Sequence, residues 1–240
     1  MTSDRTELLY EGKSKRVYAT TDPSRVILQF KDDATAFNGV KHATIAGKGE
    51  MNAALSGFFM KMLGEAGVKH HLIKVLNETE HLCERVDVVL VEVIVRNRIA
   101  GSFAKRYGRE EGESLSGPLV EYFVKSDALN DPLIGFDAAV ELGLAKPWEL
   151  HLMTEQARII NDVLVAFWAE RGIDLVDFKV EFGRTASGML VLADEISPDG
   201  SRLWEQGTGR KLDKDVFRRD LADLAETYRE VVRRAIGESP

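Results

Sequence analysis

The chain has 240 residues, and its 32 Lys plus Arg against 39 Asp plus Glu give a net charge of −7. That balance argues against a general nucleic-acid binder, whose affinity depends on neutralising many phosphates. The length suits one large domain or two small ones sharing a cleft, and Cys83, the only cysteine, excludes an intramolecular disulfide and fits a reducing compartment.

The N-terminus, MTSDRTELLY, lacks a basic region followed by an apolar core, so it does not read as a secretory signal. Residues 8–18, LLYEGKSKRVY, read as two short strands joined through Gly12, and VILQF (26–30) continues the sheet. A polar stretch rich in Asp, Ala and Gly runs from Lys31 to about Lys48. Met51, Leu55, Phe58, Phe59 and Met62 then recur at helical spacing, with Gly67 beyond the C-terminus. HLIKVL (71–76), HLCERV (81–86) and VVLVEVIVR (88–96) read as strands. The most apolar window, VDVVLVEVIV, is too short to span a bilayer and contains Glu92. The expectation is a soluble, cytoplasmic protein without a membrane segment.

A second part begins near Arg98. Ser102 is expected to cap a short helix through Tyr107, and YFVKS (122–126) reads as a strand. Pro147 suits the first turn of a long helix whose buried stripe is Leu150, Met153, Ala157, Ile160, Leu164 and Phe167, ending at Gly172. A hairpin follows, and Asp213 is expected to cap a last helix carrying Val216, Phe217, Leu221, Leu224, Tyr228 and Val231. Strands first and helices later indicate an α+β fold. The expected division is a mostly antiparallel sheet lobe with one long helix over residues 1–97 and a larger α+β lobe over 98–240, although no linker marks the boundary.

Three stretches could carry chemistry. In EGKSKRVY (11–18), Lys13 and Lys15 lie one strand period apart, and Gly12 lets backbone amides approach an anion. This is not a Walker A loop, and taken alone the stretch reads more simply as a solvated basic strand. In VEVIVRNRIAGS (91–102), Arg96 and Arg98 precede a helix start with Ser102, which reads either as a phosphate site or as exposed arginines before a serine cap. In LVDFKVEFG (175–183), Asp177, Lys179 and Glu181 share one strand face, with Phe178, Val180 and Phe182 on the other. The return strand leads through Asp194 and Glu195 to a Pro-Asp-Gly turn. Like charges on one strand face repel unless a cation sits nearby. The face is either solvated or part of a magnesium site, where two carboxylates are the usual protein share. Counting around the RTASG turn places Asp194 nearer Asp177 than Glu181, which leaves open which carboxylates share the metal. The histidines at 42, 70, 71, 81 and 151 form no HxxxH or HxH pair, which argues against zinc.

Taken together, YEGKSKRVY, VEVIVRNRIAGSFAKR, FVKSDALNDP, LVDFKVEFG and DEISPDGSRLW resemble the phosphoribosylaminoimidazole-succinocarboxamide synthase (SAICAR synthetase) family, in the family's order and spacing. Two departures are visible. Leu90 stands where the family commonly has proline, and DDATAFNG (32–39) replaces the usual Asp-Gly pair after Ser-Ala, which leaves the ligand contacts of that loop open.

The resemblance implies a cleft between the lobes in which ATP, L-aspartate and the carboxylated aminoimidazole ribotide (CAIR) give ADP, phosphate and SAICAR. It places Gly12, Lys13, Lys15, Lys179 and Glu181 at ATP, and Glu181 and Asp194 at Mg²⁺. It places Arg96, Ser102, Lys125, Asp127, Ser201 and Arg202 at the substrate, with Lys179, Asp199 and Arg202 in the catalytic set. Partners are small molecules, with no nucleic acid and no membrane, and a homo-oligomer stays open. A small-molecule kinase or a non-catalytic nucleotide sensor with the same cleft are the competing readings.

Overall fold

The computed structural model describes residues 4–36 and 40–237. In chain order its elements are β1 (Arg5–Glu11), β2 (Lys15–Thr20), β3 (Arg25–Phe30), β4 (Asp33–Ala36), β5 (Lys41–Thr44), α1 (Lys48–Glu65), β6 (Leu72–Val75), β7 (Glu80–Glu84), β8 (Asp87–Val88) and β9 (Val91–Arg98). There follow α2 (Gly101–Tyr107), β10 (Ser114–Val124), β11 (Leu133–Ile134), α3 (Phe136–Glu141), α4 (Pro147–Ala169), β12 (Ile173–Arg184), β13 (Leu190–Ala193), β14 (Ser201–Glu205), α5 (Asp215–Arg218) and α6 (Leu224–Ile236). The fold is α+β.

The first sheet has the order β1-β2-β3-β7-β6 and is antiparallel throughout. The second runs β11-β10-β9-β12-β13, with β14 and β8 also pairing β12. All of β9 but its last residue falls within residues 1–97, yet it pairs with β10 and β12 in this second sheet. The alternation on β12 is realised: Phe178, Val180 and Phe182 are each 1% exposed. They meet the stripe of α4, Leu55 and Phe59 of α1, and Tyr228 of α6 in one core. Burying each such side chain is worth about 1.5–3 kcal/mol relative to exposing it. Pro147 opens α4, and the Glu149 carboxylate accepts from the Lys146 backbone N–H at 2.7 Å. The same carboxylate takes the Arg184 fork at 2.5 and 2.8 Å, which ties the start of α4 to the end of β12.

One stretch gains structure that no pattern announced, and two expectations are corrected. The polar stretch after Lys31 contains the β4–β5 hairpin, and α1 starts directly behind it at Lys48. Its short, alanine-rich strands lack the apolar alternation that announces a strand. Residues 37–39 of the DDATAFNG stretch lie outside the described residues. The expected last helix is two helices: α5 stops at Arg218, Asp220 turns at φ 52°, and Asp223, not Asp213, caps α6 by accepting from Glu226 N–H at 2.8 Å. Ser102 lies inside α2, and Ala100 occupies the capping position. Among the described residues no helix is long and apolar enough to cross a membrane.

Candidate active site

One cavity of about 640 Å³ is lined by residues of both sheets. Every site residue expected from the sequence reaches it: Gly12, Lys13, Lys15, Arg96, Ser102, Lys125, Asp127, Lys179, Glu181, Asp194, Asp199, Ser201 and Arg202. Its apolar lining includes Val17, Val26, Leu28, Val86 and Val88.

The charged row of β12 is arranged by register. Asp177 pairs with Arg96 and Lys179 with Ile94, so two residues further on Glu181 stands opposite Glu92 of β9. Two carboxylates facing each other across strands repel, and two lysines separate them. Lys179 Nζ donates to Glu92 at 2.7 Å and to Glu181 at 2.5 Å, while Lys125 Nζ donates to Glu181 at 2.8 Å. Burial raises the Glu92 carboxyl above its ordinary value, more than the Lys179 charge lowers it. Burial acts the same way on Glu181, but there the Lys179 and Lys125 charges together outweigh it and the carboxyl is lowered.

The observed hairpin register corrects the counting. β12 and β13 close at Arg184 and Leu190 and pair Glu181 with Ala193, so Asp194 follows beside Glu181 and is remote from Asp177. The reversal occupies Thr185–Met189, held by Gly188 N–H to the Thr185 carbonyl at 2.9 Å, and Gly188 supplies φ 80°. Lys15, first residue of β2, bonds Asp194 at 2.7 Å and also reaches Glu195. Burial alone would lower the Lys15 ammonium, but Asp194 and Glu195 outweigh it and hold it above its ordinary value. Burial likewise opposes ionisation of Asp194, and the Lys15 and Lys179 charges reverse this, leaving its carboxyl well below the usual range. Lys13 sits in the turn before β2, more exposed, and bonds Asp127 at 2.6 Å.

At a second group of cavity residues, Asp177 has an arginine opposite it on each neighbouring strand, Arg96 on β9 and Arg202 on β14. Its carboxylate accepts from Arg96 at 2.8 Å and from Arg202 at 2.9 and 3.1 Å. Arg96 also donates to Glu121 at 2.6 Å and to the Ser102 hydroxyl at 3.1 Å, and it is 1% exposed. Arg202 reaches Asp215 at 3.1 Å and lies over Gly101, where a Cβ would come within 2.4 Å of its guanidinium. Gly101 also has φ 56°, so both space and backbone require glycine there. The arrangement is a pair of guanidiniums and a hydroxyl held by carboxylates, suited to an anion with several oxygens.

Asp199 enters the cavity lining from the Pro-Asp-Gly turn. Its carboxylate accepts from Lys48 and the Tyr228 hydroxyl at 2.6 Å each, and from Lys214 at 3.3 Å. Asp213, behind Arg202, is fully buried and accepts only backbone N–H groups, Leu203 at 2.9 Å and Asp215 at 2.7 Å. Burial and the neighbouring Asp215 push its carboxyl up to about 7. A folded-state value above the unfolded one gives stability that is full below the unfolded pKa and lost as pH rises through about 7. Between pH 5 and pH 8 the wild-type melting temperature is therefore expected to fall relative to Asp213→Asn, by roughly 4 °C or more. Parallel pH shifts in the two proteins count against it.

Sequence reasoning passed over several participants. In sequence Asp177 reads only as part of a charged row; its place as the shared carboxylate of two arginines depends on strands far apart in sequence. Glu92 carried a signal, a lone carboxylate in an apolar strand. Glu195 and Ser197 bond each other next to Lys15. His71 also lines the cavity, and burial pushes its imidazole down to about 4, so the ring is neutral.

The family model described as SAICAR synthetase matches residues 8–235. A phosphoribosylaminoimidazole-succinocarboxamide synthase of Magnetococcus marinus is 51% identical over 236 residues, which covers 98% of each chain. The corresponding protein of Dichelobacter nodosus is 53% identical over 228 residues, 95% of each. A solved SAICAR synthetase in complex with ADP superposes with a TM-score of 0.93 at 46% identity, covering 98% of this chain and 99% of that one. The chain belongs to the SAICAR synthetase family.

Proposed function

We infer that the chain is an ATP-dependent carboxylate–amine ligase of purine biosynthesis, joining L-aspartate to the carboxylate of CAIR to give SAICAR, ADP and phosphate. The observation that carries this reading is one cavity with two anion-binding groups of different construction: the lysine–carboxylate row and the Asp177-held arginines. A kinase or a nucleotide sensor needs only the first. Neither is favoured, because the arginine–serine group is complete and full-length relatives near 50% identity are named as the synthase.

The apolar residues Val17, Val26, Leu28 and Val86 suit the adenine base, with Gly12, Lys13, Lys15 and Lys179 at the phosphates. Glu181 and Asp194 would hold Mg²⁺. Among the described residues no cluster of three or more His, Cys, Asp or Glu forms a metal cage. A pair of hard carboxylates nevertheless fits this ion, which keeps several waters and shares its shell with phosphate oxygens. When bound, it supplies charge neutralisation to the phosphates.

Arg96, Ser102 and Arg202 take the ribotide phosphate, and Ser201, Lys125 and Asp127 border the remainder of the substrate. Asp199, held by Lys48, Lys214 and Tyr228, fixes the turn that aims Ser201 and Arg202. A carboxylate is a poor acyl donor, so its oxygen first attacks the terminal phosphorus of ATP and ADP leaves. The aspartate amine then attacks the acyl carbon, the carbon–oxygen bond to phosphate breaks, and the amine proton is lost to solvent. Most of the catalysis is alignment of the two oxygens on the transferring phosphoryl group and neutralisation of its charge by Lys15 and Lys179.

The test is incubation with ATP, CAIR and aspartate, omitting each in turn. SAICAR is expected only with all three; sustained ADP release over many turnovers with CAIR but without aspartate counts for a kinase. Lys13→Ala is expected to weaken ATP binding about 3–10-fold, through loss of one charge-assisted contact. Its melting temperature should move by less than about 2 °C, since a half-exposed ion pair contributes little to folding. Calorimetric titration and a melt check both halves, and a loss of stability with unchanged ATP affinity returns Lys13 to a merely structural role.

A further inference from the structure

His71 is 5% exposed and has no part in the chemistry described above. Its backbone is a seam between the sheets. Its N–H donates to the Leu192 carbonyl at 2.9 Å, and its own carbonyl accepts from Glu84 N–H at 2.7 Å. Leu192 belongs to β13 and Glu84 to β7, so this one residue joins the larger sheet to the five-stranded one. The preceding residues hold the seam in place: His70 bridges Leu192 in parallel, and Leu192 N–H donates to the Lys69 carbonyl at 2.8 Å.

The side chain extends the seam by two residues. His71 Nε2 lies 3.1 Å from the carbonyl oxygen of Asp194. A carbonyl can only accept, so Nε2 carries the proton. Asp194 sits at φ 59°, a left-handed conformation that a residue with a Cβ holds at a cost unless its surroundings fix it. From that conformation its carboxylate meets Lys15 at 2.7 Å.

We propose that His71 is a positioning residue: its Nε2–H pins the Asp194 peptide in the left-handed conformation and thereby aims the Asp194 carboxylate at the nucleotide phosphates and their cation. The inference rests on the assignment of Asp194 to that cation. It also gives the geometry of the carboxylate a mechanical link to the sheet that carries Lys15, through β7 and β3 to β2. Loss of an outer-shell hydrogen bond of this kind commonly costs 10–100-fold in metal affinity.

The experiment measures the dissociation constant of ADP by calorimetry twice, with magnesium and with EDTA, and takes the ratio as the magnesium enhancement. His71→Gln puts an amide N–H close to the place of Nε2, His71→Asn puts it too short to reach, and His71→Leu removes the donor. Leu and Asn are each expected to reduce the enhancement about tenfold with ADP affinity in EDTA unchanged, and Gln to restore it to within about threefold. Wild-type enhancement in folded His71→Leu or His71→Asn overturns the proposal, as does a Gln variant impaired like Leu. If the Leu variant does not fold, the Gln and Asn pair decides alone. Asp194→Asn is titrated in parallel. Enhancement lost there but kept in the His71 variants overturns the role of His71 only; enhancement kept in Asp194→Asn overturns the assignment of Asp194 beneath it.

Discussion

Asp194→Asn is expected to leave the fold intact and to lower kcat by about 10²–10³-fold, the usual loss when one electrostatic stabiliser of a transferring group is removed. The substitution keeps the shape of the side chain and removes its charge. Asparagine is among the few non-glycine residues that accept the left-handed backbone, so φ 59° is retained. Lys15 keeps Glu195 as an anionic partner, so no buried ammonium is stranded. The cost to folding is therefore small while the cost at the phosphates is large, because a neutral amide holds a divalent cation far less well than a carboxylate. Steady-state turnover across a magnesium series, with a melt of the same sample, separates the two. A folded variant with wild-type turnover and unchanged magnesium dependence would remove Asp194 from the metal site.

What could be read from the sequence is what depends on neighbours along the chain. α4 is legible because Pro147 and six apolar residues at helical spacing act within one element. The two faces of β12 are legible because a strand alternates with period two, and the core found Phe178, Val180 and Phe182 where alternation put them. The site residues, which local spacing left ambiguous and the family resemblance singled out, line one cavity.

What stayed hidden depends on partners brought in from elsewhere. The place of Asp194 against β12 is not legible from counting, because the register follows from the closure of the Thr185–Met189 turn. Asp213 and Asp223 look alike as helix caps. Only the break at Asp220 and the burial of Asp213 behind Leu203 distinguish them. The burial of Arg96 follows from Glu121 and Asp177, supplied by two different neighbouring strands. Nothing within a few residues of Arg96 announces either.

Arg202→Lys separates the ligase from a generic ATP-using enzyme. The arginine makes two contacts to Asp177 and a third, from Nε, to Asp215, so the planar guanidinium is fixed in orientation before any ligand arrives. Asp177 and Asp215 hold the side chain more firmly protonated than an ordinary arginine, outweighing the effect of burial. Lysine keeps the charge, but its single ammonium cannot bond both carboxylates and still offer a fork to a phosphate. Removal of one charge-assisted pair from such an array costs about 1.5–2 kcal/mol, equivalent to roughly 10–30-fold in affinity. The CAIR dissociation constant is expected to rise by that factor. That of ATP should change by less than about threefold, because Lys15, Lys179 and Glu181 belong to a different part of the cavity wall. Some stability is lost as well, since Asp177 then shares one guanidinium instead of two, and the melt is expected to show it most in the absence of ligand. Calorimetric titration with each ligand distinguishes the outcomes. If ATP binding collapses while CAIR binding is untouched, the two anion subsites are exchanged, and the arginines serve the nucleotide.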